Sequence, residues 1–96
     1  MNKKAIFSQT LAFVSQQTDV PPERIISTSR DAETTDARYL VATLLKERGF
    51  SPVQISEFLH RKPRSIRWLL SRATNSMQLV YLAQARLWQQ QSSGAT

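Results

Sequence analysis

The chain has 96 residues, of which 41% are hydrophobic and 21% are charged, so we expect one globular domain with a single core. The chain has no cysteine, one histidine and two glycines that lie far apart. Disulfides, cysteine zinc sites and glycine-rich phosphate loops are therefore excluded. No apolar run is long enough to span a membrane. The net charge of +6 lies entirely in residues 58–96, which contain six basic residues and no acidic one, and such a localised basic surface favours a nucleic-acid partner.

The hydrophobic pattern along the chain predicts helices throughout and no strand. A first helix covers residues 3–17, and a short second helix contains residues 25–26. A third helix begins around residues 34–35, carries an inward apolar face and stops at Gly49, a residue type common at helix ends. We expect this third helix to lie at the centre of the core.

Residues 51–73 have the layout of a helix-turn-helix. The stretch Ser51-Pro52-Val53-Gln54 is typical of a capping box with proline at the first helical position, and it begins a short helix that ends near His60. About three turn residues follow, and Pro63 begins a second helix. The predicted fold is therefore all-α, a compact bundle of about six helices that contains a helix-turn-helix.

The second helix of this pair separates its apolar and polar residues onto two faces. An apolar face carries residues that recur at helical spacing: Ile66, Leu69, Leu70 and Ala73. The opposite face carries Arg64, Arg67, Trp68 and Ser71. A helix packed through its apolar face would present two arginines to a ligand, and the planar guanidinium group can bind guanine edges or phosphates through paired hydrogen bonds.

This basic face has two interpretations. In the first, Arg64 and Arg67 enter the major groove of DNA with Ser71 beside them, while Arg61 and Lys62, just before the helix, contact phosphates. In the second, the face is only solvated and binds no ligand. The one-sided charge and the helix-turn-helix spacing favour the first.

The segment 76–91 predicts an additional C-terminal helix that is apolar over more than one face. One interpretation packs it on the first helix of the same chain, and the alternative is a homodimer, since two-fold symmetric proteins read two DNA half-sites. Residues 92–96 are expected to be a disordered tail. The candidate contacts to a partner or second copy are Trp68, Tyr81 and Trp88, and Trp68 has the further alternative of a place in the core.

Several stretches resemble a known family. They are Ile25-Ile26-Ser27, the loop residue Arg30, Arg38 at a helix start, and Ser51-Pro52-Val53-Gln54-Ile55-Ser56. Residues 14–75 thereby resemble the C-terminal DNA-binding domain of the bacterial replication initiator DnaA, a Trp-repressor-like helix-turn-helix. The resemblance implies that Arg30 reaches into the minor groove and that Arg38 contacts the DNA backbone.

The remaining part of the family signature is only partly kept. Arg61 and Ser65 match its arginine and second threonine, and the resemblance implies backbone contacts for both. The Asp-His-Thr that reads base edges in the family is replaced here by Lys62-Pro63-Arg64. The resemblance therefore implies a stand-alone domain of initiator type that recognises a different DNA sequence.

From the residues and the resemblance together, we expect residues 1–91 to form a single helix-turn-helix domain that binds double-stranded DNA and regulates or assists replication or transcription. A role in a mobile element is also open. The amino terminus is not typical of a signal peptide, so a cytoplasmic bacterial protein is expected. The alternative is a protein–protein interaction module that docks through the apolar C-terminal helix.

Other functions have less support from the sequence. RNA binding is a weaker option, since no platform of aromatic side chains is visible. Catalysis, a metal site and a cofactor are not expected, because the spacing brings together no nucleophile–base pair, carboxylate pair or cluster of metal ligands.

Overall fold

In the computed structural model, which describes residues 2–71 and 81–89, the chain forms an all-α bundle, as predicted. The described part contains six helices and no strand, and 78% of it is helical. The helices are α1 (Lys3–Thr18), α2 (Pro22–Ile25), α3 (Ala32–Glu47), α4 (Pro52–Leu59), α5 (Pro63–Ser71) and α6 (residues 81–89). None of the helices in this part of the chain is long and apolar enough to cross a membrane.

Side-chain caps set where the helices begin. The predicted capping box is confirmed: Gln54 N donates to Ser51 Oγ at 3.2 Å, and Ser51 N donates to Gln54 Oε1 at 2.9 Å. At α3 the predicted start, around residues 34–35, was wrong by two to three residues, because Asp31 caps the helix. The Asp31 carboxylate accepts from Thr34 N at 3.0 Å, so the helix begins at Ala32.

Residues with a positive φ follow three helices that precede α5: Asp19 follows α1, Gly49 follows α3 and His60 follows α4. Gly49 follows α3 with φ +93°, a backbone conformation that glycine adopts without a Cβ penalty, as the sequence predicted. His60 ends α4 with φ 56° and is exposed, and Arg61 N then donates to Ser56 O at 3.0 Å. This tight turn connects α4 to α5, and α5 packs against the core.

The core is built around α3, which contacts α1, α2, α4 and α5. The following side chains are fully buried there: Leu40, Val41, Leu44 and Leu45 from α3, Phe50 from the loop after it, Ile55 and Leu59 from α4, and Ile66 from α5. The predicted central position of α3 is thus confirmed. Removing a side chain of this kind typically costs about 2–5 kcal/mol, so the surface of α5 that faces away from the core is held in place by strong packing.

The helix α6 packs on the first and third helices of the same chain. The rings of Trp88 and Phe13 stack with centroids 4.4 Å apart, and Leu82 and Ala85 are buried in the core. Arg86 Nε donates to Glu47 Oε1 at 2.8 Å at the edge of this contact. For residues 81–89 the structure therefore agrees with the interpretation that the C-terminal helix packs on α1. The rest of the segment, residues 76–80 and 90–91, and the expected tail at 92–96 lie outside the described residues.

Candidate nucleic-acid interface

The burial of one face of α5 determines which side chains it presents to solvent. Ile66 is fully buried and Leu69 is 4% exposed, both within the packing against α3 and α4. Four side chains of the other face are exposed, as expected: Arg64, Arg67, Trp68 and Ser71. Ala73, predicted for the inward face, lies outside the described residues.

Trp68 is on the outside of the protein, which decides the alternative that the sequence left open. It is 62% exposed, the highest fraction among the large hydrophobic side chains that the structure describes. Ser71 Oγ donates to the Trp68 carbonyl oxygen at 2.8 Å, which leaves the lone pairs of the hydroxyl directed away from the helix.

An open cleft of about 750 Å³ lies beside this face of α5, between it and the start of α3. Four arginines line it, and no acidic residue does among the described residues: Arg30, Arg38, Arg61 and Arg64. The other lining residues are Ala32, Thr35, Ser65, Ile66, Trp68 and Leu69. We call this the arginine cleft.

Arg38 has a different environment from the one that the resemblance implied. It is 5% exposed, and its guanidinium donates to three carbonyl oxygens. Nε donates to Ile25 O at the end of α2 at 2.9 Å, and Nη2 donates to Ser27 O at 3.0 Å and Ser29 O at 3.1 Å in the loop before α3. With these donors used inside the protein, Arg38 holds the loop in place and is poorly placed for a DNA phosphate. Arg38 therefore positions the loop, and its expected contact with the DNA backbone stays a prediction.

Arg61 lies next to Arg38 on the same loop. Its Nη2 donates to Ser27 O at 2.6 Å, while its buried Nε has no hydrogen-bond partner in the described part of the chain. Burial, and secondarily the charge of Arg61, lower the pKa of Arg38 to about 10, with Asp31 opposing the shift. Arg38 therefore stays cationic at neutral pH, and its guanidinium group and that of Arg61 meet at one oxygen atom.

The nearest acid, Asp31, is already engaged on the other side of the loop. Its carboxylate accepts from Thr34 N, from Thr34 Oγ1 at 2.9 Å and from Arg24 Nη2 at 2.8 Å. The backbone hydrogen bond from Thr34 is the main cause that lowers the pKa of Asp31 to about 2, with smaller help from Ser29 and Arg24. Asp31 therefore stays ionised, but it is not among the residues that line the arginine cleft.

The predicted site residues fall into three places. The arginine cleft brings together six of them: Arg30, Arg38, Arg61, Arg64, Ser65 and Trp68. The outer face of α5 carries Arg67 and Ser71, and Lys62 is exposed in the turn just before α5. Tyr81 and Trp88 are elsewhere, half-buried on α6 against the core and α1.

Two lining residues of the cleft were not anticipated. Ala32 and Thr35 belong to the first turn of α3 and reach the cleft because the helix begins at the Asp31 cap. The signal was present in the sequence, since an aspartate just before a helical segment is typical of an N-cap.

No family model, curated protein or solved structure matches this chain. The described residues also contain no group of three or more histidine, cysteine or carboxylate side chains that could hold a metal ion.

Proposed function

We propose that the protein is a double-stranded DNA-binding protein in which α4 and α5 form a helix-turn-helix. The observation that carries the proposal is the outer face of α5, where Arg64 and Arg67 are exposed opposite the buried Ile66 and Leu69. In a helix-turn-helix the second helix lies in the major groove and its first residues contact base edges. Both arginines lie in the first half of α5, where such contacts are made.

Charge supports the same orientation on DNA. The last two-fifths of the chain contain no acidic residue, so nothing in α5 or after it opposes the approach of a phosphate backbone. Arg61 and Lys62 precede α5 and flank its outer face, which is the position of phosphate contacts beside a recognition helix. Arg30, across the cleft, is assigned to the minor groove or the backbone, and Ser65 to the backbone.

The biological role is proposed from the resemblance. A domain of the DnaA type with a changed base-reading segment fits a cytoplasmic bacterial regulator or accessory factor of replication or transcription. In this proposal the chain performs no catalysis and needs no cofactor.

The protein-interaction alternative has less support. The aromatic side chains of α6 on which this alternative relies already pack within the protein, because Trp88 stacks on Phe13 and Tyr81 packs against the core. Among the large hydrophobic side chains described in α6, Leu87 is the exposed one, at 58%. Within residues 81–89, a single exposed leucine is a small docking surface, so DNA binding is the function that we propose.

Salt dependence tests the proposal. Titration of a fluorescent mixed-sequence duplex at two salt concentrations should show binding that weakens steeply with salt, with a log–log slope of roughly −0.9 per neutralised phosphate. The anisotropy of the duplex measures the bound fraction. A protein that does not bind the duplex even at low salt would contradict the proposal.

A further inference from the structure

We infer that the arginine cleft binds a nucleoside phosphate, whose phosphate lies among the guanidinium groups and whose base lies against Trp68. This goes beyond duplex binding on the outer face of α5, because it assigns to the cleft an unpaired base that is open to stacking on an aromatic side chain. The ligand is either a free nucleotide or a nucleotide at the end of a DNA strand, and both present the same chemistry.

The positive charges of the cleft favour the binding of an anion. Arg38 and Arg61 share Ser27 O, and the nearest carboxylate, Asp31, is bonded to Arg24 instead of lining the cleft. Arg30 and Arg64 add two further positive charges to its wall. A phosphate among these groups would offset like-charge repulsion that no acidic side chain of the cleft relieves.

The Arg61 guanidinium, which lines the cleft, has one donor that the protein does not pair. The Nε of Arg61 is buried and has no acceptor within the described residues, although buried polar atoms are nearly always hydrogen-bonded. Holding the loop before α3 explains the bonds of Arg38 and of Arg61 Nη2, but it does not explain this atom. Arg61 therefore keeps donor capacity that the protein itself does not use.

The size and lining of the cleft fit a nucleoside beside that phosphate. Its volume, about 750 Å³, lies within the range of roughly 300–1,000 Å³ that is usual for small-ligand pockets. Ile66 and Leu69 give it an apolar part, Trp68 an exposed aromatic surface, and Thr35 and Ser65 hydroxyl groups suited to a sugar. Aromatic side chains bind bases of any sequence by stacking, so the site would prefer a base without choosing among the four.

Calorimetric titration of the full chain with ADP tests the inference. Saturable binding is expected, at least tenfold tighter than that of adenosine or of inorganic phosphate. Arg64→Gln should weaken ADP binding at least tenfold. Trp68→Ala should reduce the affinity for ADP to the affinity for pyrophosphate, which is measured in the same way. Lys4→Gln, the same charge change at an exposed position of α1, should bind ADP within twofold of the unmodified protein.

The outcomes are distinct. No saturable binding of ADP, equal binding of ADP and inorganic phosphate, or equal losses in Arg64→Gln and Lys4→Gln would each overturn the inference. A single-stranded oligonucleotide with and without a 5′-phosphate distinguishes the sources: tighter binding of the phosphorylated strand than of ADP points to a strand end, and the reverse to a free nucleotide. Duplex binding is measured separately, so a protein that binds ADP but not duplex contradicts the proposed function alone.

Discussion

Arg38 and Arg61 donate to the same atom, the carbonyl oxygen of Ser27, at 3.0 and 2.6 Å. One guanidinium comes from α3 and the other from the turn before α5, so this oxygen joins two segments to the loop that precedes α3. Side-chain donors thus fix a loop that has little apolar packing of its own. The shape of the arginine cleft, and the position of Arg30 on its far wall, depend on this arrangement.

The first prediction concerns the stability that Arg38 provides. Arg38→Met should lower the free energy of unfolding by about 2–4 kcal/mol, because each buried carbonyl left without a donor costs about 1–3 kcal/mol. Ile25 O and Ser29 O lose their Arg38 donor, whereas Ser27 O keeps Arg61. Urea denaturation followed by circular dichroism measures the change.

Arg38→Lys is the matched control, since it keeps the charge but cannot reach three carbonyl oxygens at once. It should lie between the unmodified protein and Arg38→Met. A value for Arg38→Met within about 0.5 kcal/mol of the unmodified protein, the range of ordinary surface substitutions, would contradict the structural role.

The second prediction concerns acid stability and Asp31. The folded protein lowers the pKa of Asp31 from its ordinary value of 3.8 to about 2, so its contribution to stability is present above about pH 4 and is lost as the pH falls toward 2. The difference in the free energy of unfolding between the unmodified protein and Asp31→Asn should therefore be largest near pH 6 and shrink toward pH 2. A difference that stays constant across this range would show that the charge of Asp31 is not what stabilises the start of α3.

The third prediction concerns the packing of α6 on α1. Phe13→Ala removes the ring that stacks on Trp88 and should lower the free energy of unfolding by about 1–2 kcal/mol, since such a pair adds about 0.5–1.5 kcal/mol beyond the area it buries. In a Trp68→Phe background, the emission of Trp88 should also shift to longer wavelength as the indole meets water.

Leu87→Ala is the control for this experiment, because it truncates an exposed side chain on the same helix. It should change neither the emission nor the stability measurably. An unchanged emission spectrum in Phe13→Ala would mean that α6 is not packed on α1 in solution.

The fourth prediction separates base reading from phosphate contact. Arg67→Ala should weaken binding to preferred duplexes by about 1–3 kcal/mol and relax the choice among sequences, because the lost contact is to a base edge. Lys62→Ala should weaken all duplexes alike and make binding less dependent on salt, because the lost contact is to a phosphate. Selection of bound duplexes from a random pool provides the preferred sequences, and equal losses for both variants on every duplex would argue against base reading by Arg67.

Local signals in the sequence were enough to predict much of the fold. The capping box at Ser51, the helix stop at Gly49 and the two faces of α5 all depend on residues within one or two helical turns. The start of α3 was misplaced because Asp31 lies in a polar, loop-like stretch and the apolar pattern of the helix begins only later.

The environment of Arg38 could not be predicted from local signals. Its three acceptors are backbone carbonyl oxygens. Because every residue carries one, the residue types do not indicate which of them accept from Arg38. The position of Trp68 was open for a related reason, since a tryptophan beside a basic face is compatible with the core or with a ligand surface. The burial of Ile66 and Leu69 determines which face of α5 is exposed to solvent.

The most direct measurement is the affinity for a duplex at low salt of the double variant Arg64→Ala/Arg67→Ala, compared with Lys4→Ala/Lys46→Ala. Both pairs remove two positive charges from exposed positions, but only the first lies on the outer face of α5. Removing the α5 pair should weaken duplex binding at least a hundredfold, about 2.7 kcal/mol, while the control pair changes it less than tenfold. Equal losses in the two variants would contradict the claim that α5 is the DNA-binding surface.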